Sequence, residues 1–236
     1  MELPIDKPLR RRIPLKEDFS FLETVTKKIQ EISPFELVDD WGYEWQGTEH
    51  FLRLFYNFET KTQATVCLSR DEMFTHAYVK VMTRAQDGKV YTTWNYPFSA
   101  SLKLSPEQLL HWDRTSSSFE GIIQSHHEFL ERHLNSLDEI THQAPEEFLE
   151  LLQRDQRRLV DHNLSLGVLK ESGKGMCRYT WRSLVFSLDS VSERHGPSSL
   201  THIDLKIRDL ALQRIPTFRS RFGVPQIELL QLGKST

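Results

Sequence analysis

The sequence predicts an α+β fold with an N-terminal helix, a five-stranded antiparallel meander sheet, and a helical C-terminal half packed on one face of that sheet. Two observations lead to this prediction. Hydrophobic residues alternate with a period of two between residues 35 and 96, which is the pattern of half-buried strands. After residue 104 they recur every three to four residues, as on amphipathic helices.

Composition and charge exclude several classes of protein. The chain has 236 residues, 38% hydrophobic and 27% charged, and its net charge of -3 gives no overall attraction to nucleic acid or anionic lipid. Cys67 and Cys177 are the only cysteines, too few for a disulfide framework or a multi-cysteine zinc site. No stretch approaches the roughly 18 consecutive apolar residues of a membrane span, and no secretory signal begins the chain. We therefore expect a soluble, cytoplasmic protein with no membrane partner.

The sequence of the N-terminal part predicts an extended arm, followed by a helix and a sheet. Residues 1–17 contain three prolines and three consecutive arginines, and we expect an extended basic arm that is mainly a solvated tail. Residues 18–104 should form a helix plus the antiparallel sheet. Ser20 and Glu23 have the spacing of a capping box, and Ser33-Pro34 ends the helical pattern. The five strands are predicted at residues 35–45, 50–59, 62–69, 77–83 and 89–96, with Asp87-Gly88 as a hairpin turn.

Residues 105–236 predict a mainly helical region that packs on the sheet as part of one domain. A helix start signal at Ser105 predicts a short helix to about Trp112. Residues 117–137 give the clearest helical pattern, with Ser117 and Glu120 as a capping box, and a second long helix follows from Pro145. Residues 164–182 fit either a longer helix or a hairpin. Further helices are predicted at residues 184–191 and 199–215.

Four polar residues lie on the apolar faces of the two long predicted helices. His126 and His133 are seven residues apart on the first, and Gln156 and Asn163 are seven apart on the second. If the helices pack antiparallel, His133 faces Gln156 and His126 faces Asn163, which predicts a buried polar layer that fixes their register. A metal site is the alternative. The two imidazoles would lie about 10 Å apart, a poor spacing for one ion, so we predict no metal and no cofactor.

The aromatic residues of the predicted sheet offer a binding surface. Trp41, Tyr43 and Trp45 alternate along the first strand and so share one face. Such residues often form core and cross-strand pairs, but on an exposed face they would bind a ligand or a peptide. We take this face as the preferred binding surface.

No catalytic, nucleotide or metal signature is present, so the sequence favours a non-enzymatic binding or regulatory module over an enzyme. We expect it to contact another protein through the aromatic sheet face or the helix pair. The alternative is a small-ligand-binding protein or a hydrolase with a histidine-containing site between sheet and helices, in which His126 or His133 acts as the acid or base. A closed seam around these histidines would favour the module, and a pocket holding one of them with a carboxylate would favour the enzyme.

Contact with nucleic acid is a third hypothesis. It depends on a weak basic patch formed by Arg10, Arg11, Arg12, Arg219 and Arg221, and we do not expect it to be the main function.

Overall fold

The computed structural model describes residues 2–183, apart from residues 33, 46, 71–74, 96–101, 114, 117 and 137–138 and the side chains of Glu2 and Trp45. The chain divides into two compact units, residues 1–179 and residues 180–236. The predicted helices at residues 184–191 and 199–215 lie outside the described residues. In chain order the elements are β1 (Glu2–Pro4), β2 (Arg10–Arg11), α1 (Phe19–Ile32), β3 (Phe35–Trp45), β4 (Thr48–Asn57), β5 (Thr62–Arg70), β6 (Thr75–Arg84), β7 (Val90–Trp94), β8 (Gln108–Trp112), α2 (Phe119–Glu131), α3 (Phe148–Ser165), β9 (Leu169–Gly173) and β10 (Met176–Tyr179).

A large sheet forms the centre of the first unit, and the α+β class is confirmed. Its seven strands follow the order β2-β3-β4-β5-β6-β7-β8. All neighbours are antiparallel except β7 and β8, which are parallel. The five predicted strands correspond to β3–β7, and the Asp87-Gly88 turn has a positive φ of 83° at Gly88. The sheet is larger than the predicted five strands because β2 and β8 add one strand at each edge.

Strand β8 replaces the short helix predicted from Ser105 to about Trp112, and that prediction is wrong. The local start signal is present, since the Ser105 hydroxyl donates to Gln108 Oε1 at 3.3 Å. The residues that follow pair in parallel with Val90–Trp94. The sheet neighbour therefore satisfies the backbone groups that a helix would have paired internally.

Helices α1 and α2 cover one face of the sheet. Leu22 and Ile29 of α1 and Ile122 of α2 are almost completely buried against strands β4–β6, and each such side chain contributes roughly 1.5–3 kcal/mol to stability. Helix α2 begins one residue later than predicted. Ser118, not Ser117, is its N-cap, and the Ser118 side chain accepts from the Gly121 N–H at 3.1 Å.

Helix α3 covers the opposite face. Phe148 and Leu151 of α3 pack against Leu54 and Tyr56 of β4. The prediction that the C-terminal helices pack on one face is therefore wrong, and so is the predicted antiparallel contact between α2 and α3. The sheet separates the two helices: of the neighbouring residues Thr83 and Arg84, the first bonds to α2 and the second to α3.

The N-terminal arm (residues 1–17) is extended but is not a solvated tail. Strand β1 pairs with β10, which forms a hairpin with β9, and β2 pairs with β3. This hairpin settles the choice left open for residues 164–182, and its turn has positive φ at Lys174 and Gly175. Gly42 is required where the arm crosses β3, because a Cβ there would lie 2.6 Å from Arg12 Cδ and from the His50 carbonyl oxygen.

Candidate functional site

A cavity of about 230 Å³ lies between the sheet and α3, on the face opposite α1 and α2. We call it the sheet–α3 cavity. Strands β4–β8 form its floor, α3 forms its roof, and the N-terminal arm contributes Lys7 and Leu9 to its wall. Much of the lining is apolar, including Leu52, Met82, Leu110, Leu152 and Leu159. These side chains would surround the hydrocarbon part of a bound molecule.

Strand register places the polar groups of the floor in rows. Residues paired directly across antiparallel strands point to the same face, about 5 Å apart. Three rows cross the cavity floor, and they are His50–Ser69, Leu52–Cys67–Tyr78 and Thr65–Lys80–Trp94. Residues from distant parts of the sequence thus form one surface.

Helix α3 presents one face to the cavity. Leu152, Asp155, Gln156 and Leu159 have the spacing of three and four residues that places them on one side of a helix. Asp155 and Arg84 of β6 form a buried bidentate ion pair, with Arg84 Nη1 donating to Asp155 Oδ1 at 2.9 Å and Nη2 donating to Oδ2. The pair ties the roof to the floor and uses both oxygens of this carboxylate.

Lys80 is the most unusual group in the cavity. Its side chain lies on the floor beside Thr65, and its amine makes no hydrogen bond or ion pair with any described residue. Burial lowers the pKa of Lys80 against smaller raising contributions from Cys67 and Asp155, and Lys7 and Arg84 add still smaller lowering contributions. Lys80 is half-buried, and an amine that is partly removed from water without a partner is a feature of many functional sites.

Thr65 adds a second group without a partner. It is 2% exposed, lines the cavity, and its hydroxyl has no hydrogen bond within the described part of the chain. Gln63, two residues earlier on the same strand face, is equally buried and both polar atoms of its amide also lack described partners. Each unsatisfied buried group costs about 1–3 kcal/mol, so this strand face carries unused hydrogen-bonding capacity.

A histidine and a serine lie at the end of the cavity near the arm. His50 Nδ1 and Ser69 Oγ are 2.9 Å apart, the His50 ring stacks on Tyr43 at 4.4 Å, and the Lys7 amine lies 5.4 Å from the Tyr43 ring. Burial, followed by the nearby charges of Lys7 and His76, lowers the pKa of His50 to about 4. The imidazole is therefore neutral at pH 7.

This histidine–serine pair lacks the third group of a hydrolytic triad. Among the described residues no carboxylate hydrogen-bonds or ion-pairs with His50, so nothing orients the imidazole as a triad aspartate does. Cys67 is no better a nucleophile. It is buried and hydrogen-bonded to Tyr78, and burial raises the pKa of its thiol. The geometry favours binding over hydrolysis.

The aromatic face predicted from Trp41, Tyr43 and Trp45 is only partly available. Trp41 is half-buried beside Leu54, Tyr56 and Phe148, and the guanidinium of Arg11 lies 5.9 Å from its ring. Tyr43 lines the cavity, stacked on His50. The side chain of Trp45 lies outside the described residues. Two of these three residues thus contribute to the wall of a cavity and to the core beside it.

The predicted buried polar layer does not form. His126 is completely buried, and its ring nitrogens lie 2.9 Å from Thr83 Oγ1 and 3.0 Å from Thr93 Oγ1, because its helix faces strands instead of a second helix. His133 is exposed and bonds the Phe129 carbonyl of its own helix. Both nitrogens of His126 are occupied, and neither His126 nor His133 is among the residues that line the sheet–α3 cavity.

The other two residues of the predicted layer also have different surroundings. Asn163 is buried and bonds the backbone of Lys103 at both its N–H and its carbonyl. Gln156 lines the sheet–α3 cavity. Neither faces a histidine of α2.

The basic patch is largely neutralised where it is described. Arg11 pairs with Asp39 at 2.9 Å and Arg12 with Glu49 at 2.5 Å, while Arg10 pairs through its backbone with β3. Arg219 and Arg221 lie outside the described residues. The described part of the chain contains no cluster of three or more potential ligands that could hold a metal ion, and none of its helices has the length and apolarity of a membrane span.

Comparison with known protein families, characterised proteins and solved structures finds no match to this chain. The site therefore has to be judged from its own geometry.

The sequence contains one signal for this cavity that does not correspond to any known motif. In the predicted strand at residues 62–69, Ala64, Val66 and Leu68 alternate with Thr65, Cys67 and Ser69. Both faces of β5 are buried. A buried strand with one apolar and one polar face indicates a polar site within the protein.

Proposed function

We propose that the protein binds a small molecule with an anionic head group and an apolar body in the sheet–α3 cavity. The observation that carries this proposal is the amine of Lys80, which lies in the cavity without a described hydrogen-bonding or ion-pairing partner. An anionic ligand would supply the missing charge and so offset the cost of removing the ammonium group further from water.

The charges around the cavity support an anion over a cation. Lys7 and Lys80 both line it, and neither forms an ion pair within the described residues. The carboxylate of Asp155 is matched by Arg84, and His50 is neutral at pH 7. The groups that face the cavity therefore sum to a positive charge.

The shape of the cavity supports an apolar body of limited size. A volume of about 230 Å³ is small for a ligand pocket, and leucines from α3 and the sheet line it. The Thr65 hydroxyl, which is beside Lys80 and has no described partner, can donate a second hydrogen bond to the same head group. Medium-chain monocarboxylates combine these features.

This proposal develops the alternative of a small-ligand site between sheet and helices. The histidine at the site is His50, whereas His126 or His133 was expected there. A protein partner stays a separate prediction. The aromatic face gives it little support, because Trp41 and Tyr43 are half-buried. A contact through the α2–α3 pair is not possible where the sheet separates the two helices.

Calorimetric titration of the full chain with hexanoate, octanoate and decanoate tests the proposal, with 1-octanol as the neutral control. We expect saturable binding of at least one carboxylate. Lys80→Met should weaken it roughly tenfold to a hundredfold, the range that one charge-assisted hydrogen bond implies. Lys89→Met is the matched control, because Lys89 is exposed in the hairpin turn. No binding by any of the three, or equal binding by Lys80→Met, would overturn the proposal.

A further inference from the structure

We propose that Lys80 also forms a reversible imine with small aldehydes or ketones that enter the sheet–α3 cavity. This inference rests on the proposed function in one respect only, that the cavity admits small molecules. It adds a covalent reaction, and it names carbonyl compounds with an apolar body as a second ligand class.

The position of the amine carries the inference. Lys80 lies in the row between Thr65 and Trp94 on the cavity floor, with its amine unpaired among the described residues. A lysine in an ion pair keeps its proton, and its nitrogen lone pair is then unable to attack a carbonyl carbon. The carboxylate of Asp155 interacts electrostatically with Lys80, but Arg84 binds both of its oxygens. Lys80 therefore has no fixed counter-ion.

The charges around Lys80 act in both directions. Lys7 of the arm and Arg84 of the same strand oppose a positive charge on Lys80, whereas Asp155 of α3 and Cys67 of β5 favour it. Burial is the largest effect, and the result is a lowered pKa for the Lys80 amine. A larger fraction of this amine is thus unprotonated near neutral pH than for an exposed lysine, which is how lysines become nucleophiles in proteins.

The reaction needs no oxidant or reductant. The lone pair of Lys80 Nζ attacks the carbonyl carbon, and a proton moves from nitrogen to the former carbonyl oxygen to give a carbinolamine. That oxygen takes a second proton and leaves as water, while the nitrogen loses its remaining proton as the C=N bond forms. Amine plus carbonyl compound therefore gives imine plus water, and hydrolysis reverses it.

Thr65 is a positioning residue for this step. Its hydroxyl lies beside Lys80, has no described partner, and can donate a hydrogen bond to the carbonyl oxygen. This bond would hold the carbonyl near the amine and stabilise the negative charge that develops on the oxygen. The leucines of the cavity wall would hold the hydrocarbon chain.

Reductive trapping tests the inference on the full chain. Hexanal and sodium cyanoborohydride at pH 7 convert an imine into a stable secondary amine, and peptide mapping by mass spectrometry then locates the modified lysines. Lys89 is the internal reference, because it is exposed and its hydrogen bond to Asp87 raises its pKa. We expect labelling of Lys80 to exceed that of Lys89 severalfold, since a lowered pKa leaves a larger fraction of the amine unprotonated at pH 7.

Three controls give the test its specificity. Octanoate should compete with hexanal and reduce labelling at Lys80 but not at Lys89. Lys80→Arg should abolish the labelled peptide, and circular dichroism would show whether this variant is folded. Thr65→Val should slow labelling at Lys80 while preserving its pH profile, which a loss of folding would not do.

The outcomes separate this inference from the proposed function. If octanoate binds but Lys80 is labelled no faster than Lys89, the imine proposal is wrong and the binding proposal stands. If Lys80 is labelled selectively but no carboxylate binds, the imine proposal stands and the anionic head group is wrong. If neither occurs, both proposals are overturned. The wild-type comparison of Lys80 with Lys89 decides the matter even if every variant is unstable.

Discussion

Thr65 and Lys80 are direct cross-strand partners on β5 and β6, and neither side chain has a hydrogen-bonding partner among the described residues. On the same sheet face His50 pairs with Ser69 and Arg84 with Asp155, whereas the amide of Gln63, two residues before Thr65, also has no described partner. Unused polar groups are thus concentrated on adjacent positions of β5 and β6. This pair is the centre of both proposals.

Thr65→Val should stabilise the folded protein by about 1 kcal/mol, because it replaces an unpaired buried hydroxyl with a methyl group of similar size. Thr62→Val is the matched control on the same strand, since the Thr62 hydroxyl donates to the Thr60 carbonyl and lies 3.2 Å from Thr83 Oγ1. It should destabilise by about 1–2 kcal/mol. Urea unfolding measures both, and equal destabilisation by the two variants would show that Thr65 is satisfied.

Carboxylate binding should weaken as pH rises through the lowered pKa of free Lys80. Below that pKa the ammonium is present before binding, and above it binding must take up a proton, so affinity falls by up to tenfold per pH unit. Calorimetry of octanoate binding between about pH 6 and 9, in buffers of different ionisation enthalpy, measures this proton uptake directly. Lys80→Met should abolish the uptake. Binding that is independent of pH in the wild type would assign the head group to another residue.

Asp155→Ala should cost about 3–5 kcal/mol, because it leaves the Arg84 guanidinium charged and unpaired in a site where both side chains are nearly buried. The double variant Arg84→Met, Asp155→Leu should be more stable than Asp155→Ala, since it removes both charges. Asp87→Ala, which breaks an exposed pair with Lys89, should leave stability nearly unchanged. Urea midpoints compare the variants. A double variant less stable than Asp155→Ala would contradict this account.

His126 should make the protein less stable as pH falls below about 6.5. Burial, with smaller contributions from His127 and His111, lowers its pKa to about 3, whereas an unfolded histidine titrates near 6.5. The unfolded chain therefore binds more protons between these values, and stability falls by up to about 1.4 kcal/mol per pH unit for this group. His50, whose pKa is lowered to about 4, acts in the same direction.

His126→Gln provides the measurement, because an amide can bond Thr83 and Thr93 but does not titrate. Unfolding free energies at pH 7 and pH 5 should differ less in this variant than in the wild type. An unchanged pH dependence would mean that another group causes the acid sensitivity.

Gly42→Ala should detach the N-terminal arm, since its Cβ would clash with the Arg12 side chain and the His50 carbonyl. Trypsin should then cut after Arg10, Arg11 or Arg12 faster than in the wild type. Cleavage after Lys89, in the exposed hairpin turn, is the internal reference and should not change. Equal rates at the arm would show that the strand accommodates the methyl group.

Much of the fold could be predicted from the sequence because its signals are local. The alternation of residues 35–45 and the Asp87-Gly88 turn depend on neighbours along the chain, and the strands formed where expected. The helix predicted at the position of β8 was wrong because the deciding interaction is not local. Its start signal at Ser105 is local and real, but pairing with β7 outweighs it.

The site could not be predicted because it depends on register between distant strands. Lys80 stands within a predicted strand, and nothing in its neighbours along the chain indicates that Thr65 lies beside it. The periodicity of α2 places His126 on its apolar face, as the structure does, but periodicity cannot show whether that face meets a helix or a sheet. Thr83 and Thr93 are its partners because β6 and β7 are neighbours in the sheet.

The shortness of β2 affects how readily copies of this chain associate through the edge of the sheet. It pairs with only two of the eleven residues of β3, so most of this sheet edge has no strand partner among the described residues. Glu36 and Glu44 are exposed on this strand, whereas Asp39 and Asp40 are paired with Arg11 and Arg53. Like charges oppose the addition of an identical strand, so we expect the two glutamates to act together with the short β2 against pairing of this edge with another copy.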